Sequence, residues 1–319
     1  MNTSYSPLNR NQRPSLFRTL LGFMLLMTVG GILQAIPIYT VVFQLCFPFI
    51  QEVSELLVAG SLSTDQAAFL IQEKILLLSD HPLMLVATLV GTGAIIGVFA
   101  FWVGVIQKKS ISFLGIRKEK AVRNYLIGMG IGFLMFAVAV GICLISGAAK
   151  IEFNSFRWSY ILLFFFGFMI QGLEEEILMR GYLLGSLKGT MPRFQAVFLS
   201  SILFSLLHME NEGVSILALI NIVLFGIFAG YYFIRTNSIW GVAAIHTVWN
   251  FAQGNIFGCS VSGLTAYDSI FKTILTEERD STHGGVFGPE GGLAVTIVLV
   301  TALFILIWTA IPSSPKRKK

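Results

Sequence analysis

Eight apolar stretches, each near the length needed to cross a bilayer, leave this chain little choice of architecture. About 20 apolar residues span the hydrocarbon core as a helix, and runs of that order lie near residues 19–46, 82–106, 124–147, 158–187, 194–210, 214–234, 239–258 and 293–311. Lipid offers no partner to an exposed peptide group, so such runs fold as helices rather than as open strands. Only 12% of the 319 residues are charged, about half the share in an ordinary soluble domain. The expected fold class is all-α: a polytopic membrane protein built as a bundle of eight transmembrane helices.

The basic residues orient that bundle. The first apolar run is too long for a signal-peptide core and is not followed by a convincing cleavage site, so it reads as a retained span. With eight spans, one side of the membrane receives three Lys/Arg in the N-terminal tail, six in 107–123, two in 188–193, Arg235 and four after 312. The other side receives only Lys74, Lys150, Arg157, Lys272 and Arg279. The positive-inside rule then places both termini in the cytoplasm. The net charge of +5 is explained by topology, so no nucleic-acid partner is expected. The chain divides into a cytoplasmic tail at 1–16, an eight-span membrane domain at 17–311 and a basic cytoplasmic tail at 312–319. The expected location is the cell membrane as a multi-pass protein, with membrane lipid as a partner; the basic loop and tail touch anionic headgroups.

Two outward loops are long. Residues 47–81 contain an amphipathic stretch, 65–78, expected to form a surface helix, and 259–292 ends in a glycine-dense segment expected to re-enter the last span through tight turns. Cys46, Cys143 and Cys259 have no paired spacing and read as small buried apolar residues. Gly226 and Gly230 stand at G-x-x-x-G spacing, read as helix packing, and Asn221 in the same span is placed to hydrogen-bond across the bundle.

Against this background Glu174, Glu175, Glu176 and Arg180 stand out inside the fourth run. Each ionised side chain at a span centre costs roughly 2.5 to 3.5 kcal/mol on insertion scales, so pairing, protonation or a wet cavity must offset them. Glu176 and Arg180 are at i and i+4 with the acid first, the better order for an ion pair. Glu175 points about 100° away and is free to take a proton; Glu174 is given no role. Phe204 and His208 are expected on one helix face, and so are His246 and Asn250. Counted from the loop at 188–193, Glu175 and His208 both lie roughly 20 Å deep. His246 and Asn250 lie about 14 and 20 Å from Asn237, which places four polar groups from three helices in one layer. A lone membrane histidine is commonly structural glue; two beside a carboxylate indicate a functional cavity, hydrolytic or proton-conducting. No H-E-x-x-H motif follows from His208 and no G-x-S-x-G elbow is present.

The order E-E-x-x-x-R at Glu175, Glu176 and Arg180, then F-x-x-x-H at Phe204 and His208, then H-x-x-x-N at His246 and Asn250 resembles the CPBP family of CAAX prenyl-endopeptidase and bacteriocin-processing (Abi) intramembrane proteases. The resemblance covers about 158–258, and the loop 287–291 also resembles one in bacterial members. It implies an intramembrane protease acting on membrane-associated peptides or proteins. In it Glu175 would activate water with help from His208, while His246 and Asn250 would polarise the scissile carbonyl. Glu176, Arg180 and Phe204 would support them. It also leaves two chemistries open: a divalent metal such as zinc held by Glu175, His208 and His246, or a glutamate acting without metal. Rival readings are a non-catalytic scaffold or bacteriocin-immunity protein on the same fold, and a proton-coupled carrier. The carrier would be expected to show inverted repeats, and none is visible.

Overall fold

A computed structural model describes residues 15–78, 81–265 and 267–309; the basic tail at 312–319 and nearly all of the tail at 1–16 lie outside the described residues. The chain is 75% helical. Among the described residues, nine helices are ten residues or longer. They are α1 (Leu16–Val58), α2 (Thr64–Leu78), α3 (Pro82–Ile106), α4 (Ala121–Ile145), α5 (158–187), α6 (Arg193–Leu206), α7 (Ile216–Thr236), α8 (239–256) and α9 (Leu293–Trp308). Four of them, α1, α3, α4 and α7, are long and apolar enough to cross a membrane.

Boundaries depart from expectation in two places, each for a physical reason. Helix α1 continues to Val58 rather than stopping near 46, and Pro37 and Pro48 lie inside it. Gln51, Glu52 and Glu55 end the apolar run, but polarity ends a span, not a helix. At about 1.5 Å per residue α1 is about 64 Å long, roughly twice the hydrocarbon core, and α2, the expected amphipathic helix, returns beside its end. Helix α6 stops at Leu206, so His208 sits in the following turn and not on the helix. There the last turn tightens, with the His208 and Met209 amides donating to Ser205 and Leu206 carbonyls at 3.0 and 3.3 Å.

The all-α expectation misses one small feature. Residues Ala149–Phe153 (β1) pair antiparallel with Phe271–Leu275 (β2), Ile151 facing Thr273. Five-residue strands are too short to carry a periodic signal that competes with the flanking helices. Next to this ribbon Arg157 grips Asp268 with Nη2 to Oδ2 at 2.7 Å, Nε to Oδ1 at 3.0 Å and its backbone amide to Oδ1 at 3.1 Å. The guanidinium hydrogen bond holds the Asp268 carboxyl below the ordinary carboxylate range. A depressed folded-state value stabilises the protein above the unfolded value, about 3.9, and that contribution is lost as pH falls through the folded value. Asp268→Asn should therefore flatten the decline of Tm below about pH 4, measured by thermal unfolding in detergent.

Helix α8 is the centre of the bundle. Every residue from Gly241 to Asn250 is buried, as expected of a helix enclosed on all sides, and it packs against α4 and α5. The α5–α8 crossing is close because Gly172 has no side chain: a Cβ there would lie 2.9 Å from the Thr247 amide nitrogen. Gly226 and Gly230 of α7 likewise face Ser201 and Val197 of α6, which bears out simple packing. All three cysteines are free and buried. The segment before α9 is turn-rich as expected, with Gly284, Gly285 and Gly288 at positive φ and short 3-10 turns at Gly285–Phe287 and Pro289–Gly291. Asn221 of α7 donates to the Glu290 and Gly292 carbonyls at 2.7 and 3.0 Å and accepts from Thr296 Oγ1 at 2.7 Å, so it does bond across the bundle.

Candidate active site

Both helices that carry the central polar residues change pitch just beyond them. Helix α5 is regular over Trp158–Glu176, then π-wound over Ile177–Leu184. Helix α8 is regular over Ile239–Phe251, then π-wound over Ala252–Ile256. Wider turns of this kind recur at functional sites because they re-aim side chains without breaking the helix. In α5 the π turn buries all eight of its residues, Arg180 among them.

The close α5–α8 contact brings four charged or ionisable groups together. Glu176 Oε1 accepts from Arg180 Nη1 at 2.9 Å, the expected i,i+4 pair, and also from His246 Nδ1 at 2.9 Å. Arg180 lies over the Phe204 ring at 4.7 Å and near Phe225 at 5.8 Å. Phe204 also meets the rings of His208 and His246 at centroid distances of 4.9 and 6.1 Å. It thus touches three of the residues singled out in the sequence. With its Nδ1 proton directed to Glu176, His246 turns Nε2 toward Glu175 Oε2, 3.6 Å away. That carboxylate oxygen is buried with no hydrogen-bond partner. Two lone pairs do not attract, so the geometry becomes favourable with one proton between them.

Glu175, His208, His246 and Asn250 all border a single cavity. Glu174 is buried but does not border it. His208 reaches the cavity from the turn after α6, its Nδ1–H donating to the Phe204 carbonyl at 2.9 Å, which leaves Nε2 as the acceptor nitrogen. The walls are largely apolar, among them Phe168, Ile222, Phe225 and Leu299.

The sequence reading did not single out one residue at the centre of this network. Gln171 Nε2 donates to Glu175 Oε1, and Gln171 Oε1 accepts from Asn250 Nδ2 at 3.1 Å. One amide thus ties the carboxylate to the asparagine. Its signal was present, since Gln171 precedes Glu175 by four residues on the same helix face. Glu290 also borders the cavity, from the loop before α9; that placement depends on a long-range return of the chain that spacing does not reveal.

A divalent metal such as zinc needs at least three protein donors around one point. Among the described residues no three His, Cys, Asp or Glu side chains gather closely enough to hold one. As they stand, Glu175, His208 and His246 do not make a ready metal site, and Glu175 is engaged with Gln171.

Comparison with known families matches residues 157–252 to the model described as type II CAAX prenyl endopeptidase Rce1-like. No curated protein and no solved structure matches the chain. The matched segment covers α5 to most of α8, the part of the fold that supplies Glu175, Glu176, Arg180, Phe204, His208, His246 and Asn250. Residues 157–252 of this membrane protein form an Rce1-like type II CAAX prenyl endopeptidase domain of the CPBP family.

Proposed function

We propose that the chain is an intramembrane endopeptidase in which Glu175 activates water against a peptide bond held in the cavity. The observation that carries this reading is the convergence of Glu175, His208, His246 and Asn250 on one cavity lined mainly by apolar side chains. Two carboxylates, a guanidinium and an imidazolium form a cluster of zero net charge, which makes their burial tolerable. Glu175 takes a proton from water as its oxygen bonds to the scissile carbon, and His208 Nε2 accepts from the same water. The His246 Nε2–H and the Asn250 amide hydrogen not given to Gln171 donate to the oxyanion. On collapse the C–N bond breaks and the leaving amine takes the proton from Glu175. No step passes through a metal, so cleavage is expected to persist in 1,10-phenanthroline; its loss there, with recovery on added zinc, would replace this mechanism by a metal-dependent one.

We further read the helices other than α2 as eight spans with both termini cytoplasmic in the cell membrane, with lipid and a membrane-associated peptide or protein as partners. The purified chain in liposomes, offered membrane-associated peptides and followed by mass spectrometry, tests the activity. An imposed pH gradient without peptide tests the carrier reading, for which uptake rather than cleavage is the expected signal.

Gln171→Leu should lower kcat about 10²-fold with KM nearly unchanged, because both the carboxylate and the oxyanion donor lose their orientation. The conservative Gln171→Glu variant, which keeps the chain length but puts a second carboxylate beside Glu175, should not restore the rate. Equal kcat in Gln171→Leu, or a loss confined to KM, would remove Gln171 from the mechanism.

A further inference from the structure

We propose that Glu290 makes the cavity selective for substrates carrying a positive charge, a Lys or Arg side chain or a free α-ammonium, about three residues from the bond that is cut. This inference rests on the protease reading above. Its geometry comes from one face of α8. His246 and Asn250, four residues apart, share that face, and Gln253 follows in the π-wound segment that continues the helix. His246 meets Glu175 and Glu176, Asn250 meets Gln171, and Gln253 Nε2 donates to Glu290 Oε2 at 3.2 Å. Seven residues of helix separate the first and last of these contacts, about 10 Å. An extended peptide covers that distance in about three residues.

The chemistry at the far end is one-sided. Glu290 Oε2 is held by neutral donors, Gln253 Nε2 together with the Ser262 amide at 2.8 Å and the Ser262 hydroxyl at 2.7 Å. The cavity lining contains two carboxylates, Glu175 and Glu290, and no Lys or Arg. Arg180 does not border the cavity and is taken up by Glu176 at 2.9 Å. The same lining includes Phe168, Ile222, Phe225 and Leu264, apolar walls beside which a charge is screened less than in bulk water. A cation reaching Glu290 gains a charge-assisted hydrogen bond there, while a carboxylate is repelled.

The test separates recognition from catalysis. Glu175→Gln protein in detergent is titrated with fluorescently labelled ten-residue apolar peptides that carry one lysine, or norleucine in its place, scanned through each position. Binding about tenfold tighter for lysine at the best position is expected. Glu175→Gln/Glu290→Gln should lose that preference, because glutamine keeps the shape and most hydrogen bonds of the latch without the charge. Glu175→Gln/Ser262→Ala loosens the latch but keeps the charge, so the preference should survive. Lysine and norleucine peptides binding alike, a preference that persists without the Glu290 charge, or one lost equally with Ser262→Ala would each overturn the proposal. The parent chain is assayed for hydrolysis of the same peptides. Cleavage without lysine preference sinks only this inference, whereas a Glu290-dependent preference without any cleavage sinks the protease reading and leaves the cation site standing.

Discussion

Glu175→Gln and His246→Ala should each lower kcat/KM by about 10² to 10⁴, and the double variant should be hardly worse than either alone. General-base catalysis contributes roughly 10² to 10⁴, and an oxyanion donor in a water-poor site roughly 10² to 10³. Residues that work as one unit are strongly non-additive, because removing one already disables its partner. Here the unit is visible: His246 Nε2 faces Glu175 Oε2 at 3.6 Å, so the base and the oxyanion donor act on one substrate position and loss of either leaves the other without its task. Without His246, the unpartnered oxygen of Glu175 has no facing proton. Without the Glu175 charge, the imidazolium keeps only Glu176. Steady-state kinetics on folded single and double variants check this; independent, multiplying losses would show that the two residues do not act together.

Glu176→Leu should be the most destabilising single change, lowering stability by about 3 to 5 kcal/mol. Glu176 is 0% exposed and Arg180 is 2% exposed, and Glu176 Oε1 is the shared acceptor for Arg180 and His246. Removing one member of a buried ion pair leaves an uncompensated charge, which accounts for the size of the effect. Replacing the pair together is far less harmful in general, so Glu176→Leu/Arg180→Met should recover a large part of the loss. Activity should not recover, because His246 still lacks the acceptor that fixes its ring. Thermal unfolding in detergent beside the cleavage assay separates the two effects. A double variant as unstable as Glu176→Leu would indicate that packing, not charge, dominates at this position.

How far the sequence could be read follows from which interactions are local. The Glu176–Arg180 pair was legible because it is set by helical spacing alone. The convergence of Glu175 with His246 was legible through depth, since both count from loops at the same face. His208 was placed on a helix because spacing says nothing about where α6 stops, yet its ring still meets Phe204 from the turn. The second acceptor role of Glu176, toward His246, was not foreseen, because it depends on how closely α5 and α8 cross at Gly172. The β1–β2 ribbon and the arrival of Glu290 at the cavity both require distant segments to meet. No local period encodes that. Gln171 lay within reach of the same reasoning that found the ion pair, and was passed over because a neutral amide in an apolar run raises no energetic alarm.

The most direct test of the central claim is mass-spectrometric detection of peptide cleavage by the purified chain in liposomes, beside Glu175→Gln protein of equal Tm. The account predicts defined internal cleavage products with the parent chain and none with the variant. Products formed at equal rates by both, or by neither while peptide binds in the cavity, would contradict it.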